Sequence, residues 1–280
     1  MDSLRSLLVH FDAGGHATER LAFARGMAAQ HESHLRALFA VAPRFLPMPR
    51  PVDGRIAPAP LLDEIDSEHR RHAKARFDRA ASGPGWPVEW RELVANTPPV
   101  PGFARHALHA DVMVLGQHDP QDRDAGDVPA DFVETTVLAA GKPAVVVPCH
   151  GQTRFTGFQT VLVGWQPTRE AARALSGALP LLQRASEVHL VTWDDAAETL
   201  ATQQQDVLDY LRLQGVENVR FHQGTAPANA GAALLSLAQD LGADLLVMGC
   251  YGHSRVRELV LGGATRTVLR DMRLPVLMAH

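Results

Sequence analysis

The sequence predicts an α/β protein built from two doubly wound, parallel-sheet units in tandem, and three observations carry that prediction. Short apolar runs alternate with helix-like stretches along the chain, the pattern of parallel strands joined by right-handed crossovers. The runs are almost continuously apolar, as in Val112 to Leu115 and Leu245 to Met248, which implies a sheet covered on both faces. The chain is also written twice: Ser6–Asp12 is echoed by Thr160–Gln166, His109–Gly116 by Gly242–Gly249, and Val137–Val147 by Val268–Met278. The same landmarks in the same order mark a tandem duplication, with its seam in Cys149–Thr156 and units expected at 1–150 and 156–280.

In the first unit, strands are expected near residues 6–11, 35–41, 88–94, 111–115 and 144–148. Helices are expected at Ala17–Gln30 and at Leu61–Ala81, the latter closed by Ser82-Gly83. Between the second strand and that helix, Pro43 to Pro60 holds six prolines and no periodicity, which predicts an extended loop. In the second unit, strands are expected near 159–164, 187–193, 218–222, 244–248 and 275–279. Leu175, Leu179 and Leu182 share one face of a helix over Arg169–Arg184. A further helix over Ala197–Leu213 closes at Gln214-Gly215, and a last one starts at Ala264. The terminal strands, 144–148 and 275–279, belong at sheet edges, where bare backbone invites pairing; they are expected to pair with each other across a pseudo-twofold axis. That makes the chain an intramolecular pseudo-dimer, and a further patch would give a homodimer.

Composition narrows the function classes. The chain has 280 residues, 46% of them apolar, and a formal charge of −4, so it can bury real cores but has no bulk affinity for nucleic acid or anionic membrane. Its two cysteines, Cys149 and Cys250, lie far apart and suggest neither a disulfide framework nor a zinc site. Met1–Arg5 lacks the basic and apolar regions of a signal peptide, and no apolar run approaches a membrane span. A cytoplasmic location is expected.

The most informative stretch is Val247 to Thr265. An apolar strand ends at Gly249, and glycines follow at Gly252 and Gly262 before a helix begins. Glycine lets backbone N–H groups approach an anion, and a helix start adds unpaired donors and a positive dipole end. The spacing, G-x2-G-x9-G, is neither a P-loop nor a dinucleotide fingerprint. It resembles the universal stress protein family, and the likeness covers both halves, most specifically Val247 to Leu269.

That resemblance implies a flavodoxin-like fold and an adenine nucleotide, ATP or its products, held by a stress-response sensor or regulator. In nucleotide-binding relatives an Asp ends the first strand near the adenine and ribose, the glycine loop wraps the phosphates, and a Ser or Thr follows the last glycine. Carried over, it places Gly164, Trp165 and Gln166 at the end of the first strand of the second half. Gly249, Gly252, His253, Arg255 and Gly262 fall in its loop, and Gly263 and Thr265 at the helix start. Gln166 replaces the Asp and Gly263 the hydroxyl, with Thr265 the nearest substitute; metal dependence is left open by the missing acid. The first half departs in the opposite way. It keeps Asp12, but Asp119 replaces the second glycine and Asp122, Asp124 and Asp127 crowd the same loop, so it is not expected to bind a nucleotide.

Other candidates carry less. His69 and His72 lie three apart on a basic helix, whose charge repels a metal, and read as a solvated face. The four loop aspartates lack the glycine and terminal Glu of an EF-hand and read as a flexible acidic loop. Arg255, Arg257 and Arg266 are candidate phosphate-side charges, Trp165 either stacks on adenine or packs in the core, and Cys250 reads as a buried, inert thiol. His253 and Ser254 lack a third partner for nucleophilic catalysis, and no general base stands beside the phosphates, so slow ATP hydrolysis is the most that is expected. One alternative is a scaffold or partner-binding protein with two vestigial pockets. An adenylating enzyme is disfavoured, because Gly164 to Thr168 is no serine-glycine-rich loop.

Overall fold

A computed structural model describes residues 4–42, 51–52, 55–56, 59–94, 97–122, 124–125, 127–193, 197–251 and 263–280. The chain is mixed α/β, and ten of its strands form one sheet. In the first half these are β1 (Ser6–Phe11), β2 (His34–Phe39), β5 (Glu89–Glu92), β6 (Val112–Gly116) and β7 (Ala144–Val147). In the second they are β8 (Thr160–Gly164), β9 (Glu187–Trp193), β10 (Val219–Gly224), β11 (Leu245–Gly249) and β12 (Val276–Ala279). A separate two-stranded ribbon joins β3 (Pro51–Val52) to β4 (Arg55–Ile56). The helices are α1 (Ala17–His31), α2 (Ala59–Ser82), α3 (Pro99–Ala107), α4 (Phe132–Ala140), α5 (Arg169–Leu182), α6 (Ala197–Leu213), α7 (Ala230–Asp240) and α8 (Ala264–Asp271).

The proline-rich stretch expected as one extended loop is therefore interrupted: β3 and β4 pair within it, and α2 begins at Ala59. Pro60 sits at the start of that helix, where its missing N–H costs nothing. Residues 43–50, 53–54 and 57–58 of the stretch lie outside the described residues.

The strand order is β10-β9-β8-β11-β12-β7-β6-β1-β2-β5. Each half, read outward from the centre, repeats one topology, and every neighbouring pair is parallel except one. That exception joins the halves: β12 runs antiparallel to β7, with Val276 opposite Val146, Leu277 opposite Val145 and Met278 opposite Ala144. Two strands that would otherwise be bare edges satisfy each other's backbone.

Strand alternation then fixes two cores that both cross the seam. Val9, Val114, Val145, Leu277, Val247 and Val163 face one side, under α1, α2, α5 and α6. Leu8, Met113, Val146, Val276, Leu246 and Leu162 face the other, under α3, α4, α7 and α8. The repeated Ala-Asp of His109–Gly116 and Gly242–Gly249 also has a structural reason. Asp111 accepts hydrogen bonds from the Arg5 and Ser6 N–H groups at 2.7 and 2.9 Å, and Asp244 does the same for Gln159 and Thr160 at 2.8 and 3.2 Å. Each carboxylate clamps the start of its unit's first strand.

The linker is tied down on both sides. Phe155 and Phe158 meet edge to face with ring centroids 5.1 Å apart, and Phe155 meets Phe23 of α1 at 5.4 Å. The Gln152 N–H donates to the Arg273 carbonyl at 2.8 Å. Because both cores cross the seam, the halves are expected to unfold together. Leu277→Ala should cost about 2–5 kcal/mol, and the loss should be read equally by Trp86 and Trp90 in the first half and Trp165 and Trp193 in the second. Denaturant titrations of single-tryptophan variants check this; separate midpoints for the two pairs would contradict it.

Candidate functional site

In sheets of this topology the strand order reverses between the first and fourth strands of each unit, and a crevice opens at their carboxyl ends. The chain has two such places, one beyond β1 and β6 and one beyond β8 and β11. They are built from equivalent backbone and filled quite differently.

The first crevice, of about 460 Å³, is lined by His10, Asp12, His16, Arg20, Asp119 and Asp122 among others. Arg20 reaches into it from α1. Its Nη2 donates to Asp12 at 2.6 Å and its Nε donates to the His10 carbonyl at 2.7 Å, while Asp12 also accepts from the Gly14 N–H at 2.7 Å. A Cβ on Gly116 would overlap the guanidinium, so that glycine makes room for an arginine rather than a ligand. Burial alone would raise the Asp12 pKa, but Arg20 and His10 hold it below the ordinary value. The acidic loop turns inward as well: Asp122 accepts from Gly15 N–H at 2.7 Å, and Asp119 lies 3.0 Å from His16 Nε2. Carboxylates of the chain itself occupy the donors that would face an anion. Asp119 and Asp122 are thus engaged, because the β1–α1 turn presents an N–H group and a histidine to them, whereas Asp124 is exposed. His69 likewise meets Asp127 at 3.4 Å, whereas His72 is exposed.

The second crevice is larger, about 690 Å³, and has apolar walls of Trp165, Val191, Trp193, Leu234 and Met248. Gly164, Gln166, Gly249 and Thr265 line it too, as does Ala264, the first residue of α8. Of the expected site residues, Gly164 and Trp165 are half-buried, Gln166 is exposed at the rim, and Thr265 is buried. Trp165 lines the crevice and packs on the core. Its indole N–H is buried without a hydrogen-bond partner among the described residues. Gly263 caps α8 with extended backbone and no side-chain hydrogen bond, leaving the first N–H groups of the helix unpaired by a side chain.

Gly249 has a packing reason of its own. A Cβ there would lie 2.5–2.9 Å from the backbone of Glu170 and Ala171, so the glycine lets the start of α5 close on β11. Tyr251 then leaves the strand at φ 58, a left-handed conformation rarely adopted by a bulky residue. Cys250 is buried and donates its thiol to the Ala279 carbonyl at 3.4 Å; it does not line the crevice. Arg266 is exposed and is not among the lining residues. Gly252, His253, Ser254, Arg255, Arg257 and Gly262 lie outside the described residues.

One lining residue escaped the sequence reading. Glu170, 3% exposed, stands in the first turn of α5, which Thr168 caps by accepting from Ala171 N–H at 3.2 Å. Burial opposes its ionisation, yet Arg169 pairs with it and its pKa is lowered. A charge on an apolar-faced helix end reads as a dipole partner, and only the fold turns it toward a pocket.

A ten-stranded sheet with crevices at its two switch points defines a tandem doubly wound α/β protein. Residues 157–280, a little under half of the chain, match the model of the universal stress protein family. A universal stress protein of Synechocystis is 28% identical over 173 residues, which is 60% of this chain and 57% of that relative. One from Methanocaldococcus jannaschii is 33% identical over 45 residues, 16% of this chain and 28% of that one. The crystal structure of a universal stress protein from Archaeoglobus fulgidus shares the fold across 99% of this chain and 96% of its own, at a TM-score of 0.70 and 16% identity. Among the described residues no helix is long and apolar enough to cross a membrane.

Two buried histidines make the protein acid-sensitive. Burial pushes His10 down to about 4, with Arg20 adding to the effect, and burial pushes His31 down to about 4 with Arg184. Both are neutral when folded at pH 5 and protonated when unfolded, so stability falls as pH drops from about 6.5 to about 4. The loss is at most about 3 kcal/mol per histidine. His31→Leu should flatten the slope of unfolding free energy against pH over that window without weakening the protein at pH 7.5. An unchanged slope would contradict the assignment.

Proposed function

We propose that the second crevice binds an adenine nucleotide, ATP or its products, and that the chain acts as a stress-response sensor or regulator without vigorous turnover. The observation that carries this is the meeting of an aromatic and aliphatic slot with the uncapped start of α8 in one crevice. The slot suits a purine, with Trp165 and Trp193 as aromatic walls. The α8 start and Thr265 suit phosphate oxygens, and the glycine-punctuated segment from Gly252 to Gly262 supplies the rest of the cradle. Glu170 suits ribose hydroxyls, restoring the acid that Gln166 lacks. The units proposed are 1–150 and 156–280, with nucleotide bound by the second alone.

The first unit is read as a scaffold. Arg20, Asp119 and Asp122 close its crevice from within, which supports a structural role for that half. If the second crevice proves equally inert, the whole chain is a partner-binding scaffold.

Titration calorimetry checks the reading. The native chain is expected to bind one ATP, Trp165→Ala to weaken it about tenfold through lost stacking area, and Gly252→Asp to abolish it by adding a Cβ and a negative charge at the phosphates. Circular dichroism establishes that the variants are folded. Absence of binding by the native chain, or equal affinity in Gly252→Asp, would leave the scaffold reading.

A further inference from the structure

At the mouth of the first crevice, three segments distant in sequence bring together a set of metal-ligating atoms. Asp119 comes from the loop after β6, Cys149 and His150 from the linker after β7, and His16 from the start of α1. One donor atom each from Asp119, Cys149 and His150 lies within 4.8 Å of the other two. Cys149 Sγ is 3.1 Å from His150 Nδ1, and Asp119 Oδ2 is 3.0 Å from His16 Nε2. Ligands of a tetrahedral zinc ion stand about 3.3–3.6 Å apart when bond lengths are about 2.0–2.3 Å. The Cys149–His150 pair is already at that scale.

We propose that Cys149, His150 and Asp119 form a binding site for a divalent transition metal of zinc type, with His16 holding Asp119 in place. One thiolate, one imidazole and a carboxylate make a mixed soft and borderline donor set. That set suits zinc, not magnesium or calcium, which take oxygen ligands. A thiolate beside a carboxylate is repelled by it, and a dication between them turns the repulsion into attraction.

The surroundings hold the donors as an outer shell would. Gln117 Oε1 accepts from the Cys149 N–H at 3.0 Å, while its Nε2 donates to the Leu269 and Arg270 carbonyls at 2.9 and 3.0 Å. Gln117 thereby positions the cysteine and ties it to α8 of the other half. Glu19 Oε2 lies 3.8 Å from His16 Nδ1, on the side away from Asp119. The closer carboxylate, Asp119 at 3.0 Å, takes the Nε2 side of the ring, so His16 orients that carboxylate. Asp119 Oδ1 accepts from the Gln121 N–H at 2.8 Å and Oδ2 meets His16 Nε2 at 3.0 Å, which fixes the orientation of the carboxylate. His150 is exposed and Cys149 half-buried, so an ion can reach the site. Nearby Arg20 is already paired with Asp12.

Tag-free protein, kept reduced and free of nucleotide, is titrated with Co²⁺ and then with Zn²⁺ against a chromophoric chelator. One Co²⁺ per chain should bind with a thiolate-to-metal charge-transfer band, and Zn²⁺ should displace it. Cys149→Ser should remove the band, whereas Cys250→Ser should keep it. His150→Ala, at an exposed position that folding does not need, should lower zinc affinity by about tenfold or more. No band in the native chain, a band surviving in Cys149→Ser, or zinc affinity unchanged in His150→Ala would overturn the proposal. None of these outcomes bears on ATP binding in the second crevice.

Discussion

The antiparallel pairing of β7 with β12 is the constraint on which the rest of the molecule depends. Without it each half ends in a bare, wholly apolar edge, the kind of strand that recruits a partner or aggregates. With it the chain satisfies both edges internally, and Val145, Val146, Val276 and Leu277 join two small cores into two long ones on opposite faces of a single sheet. The edges that remain, β5 and β10, are partly polar, which suits strands that must meet water.

The same constraint gave the halves freedom to diverge. Once a common sheet holds both crevices, neither has to bind a ligand for the chain to fold. In the first, a buried arginine has taken the acid at the strand end as its own partner, and loop aspartates have taken the backbone donors. In the second, those positions are Gln166 and a glycine-punctuated segment, and the crevice stays open between Trp165 and the start of α8. Opening the first crevice would strand Arg20 and Asp12 without partners, a heavier cost than any one substitution suggests.

Most of the fold was legible in the sequence because it rests on periodicity. The central strands are so nearly continuous in Val, Leu and Met that their positions and the two-sided cover follow, and the tandem repeat gave the order. The exceptions have identifiable causes. The ribbon of β3 and β4 is two residues per strand, too short to show alternation, and α2 starts among prolines that read as loop. The site was legible where a residue type announces itself: Gly164, Gly249 and Thr265 do line a crevice. It was not legible where the role comes from tertiary contact. Arg20 is one arginine among many on a helix, Glu170 a common first-turn acid, and Asp119, Cys149, His150 and His16 are scattered over more than a hundred positions. Only the β6–β7 pairing and the linker's path bring them together.

The central claim is that two equivalent crevices have unequal functions. Amide hydrogen exchange on the whole chain, with and without ATP, tests it most directly because both crevices report in one experiment. The account predicts added protection at 164–171 and 249–269 and none at 12–20 or 116–131. Protection in the first crevice, or in neither, would contradict it.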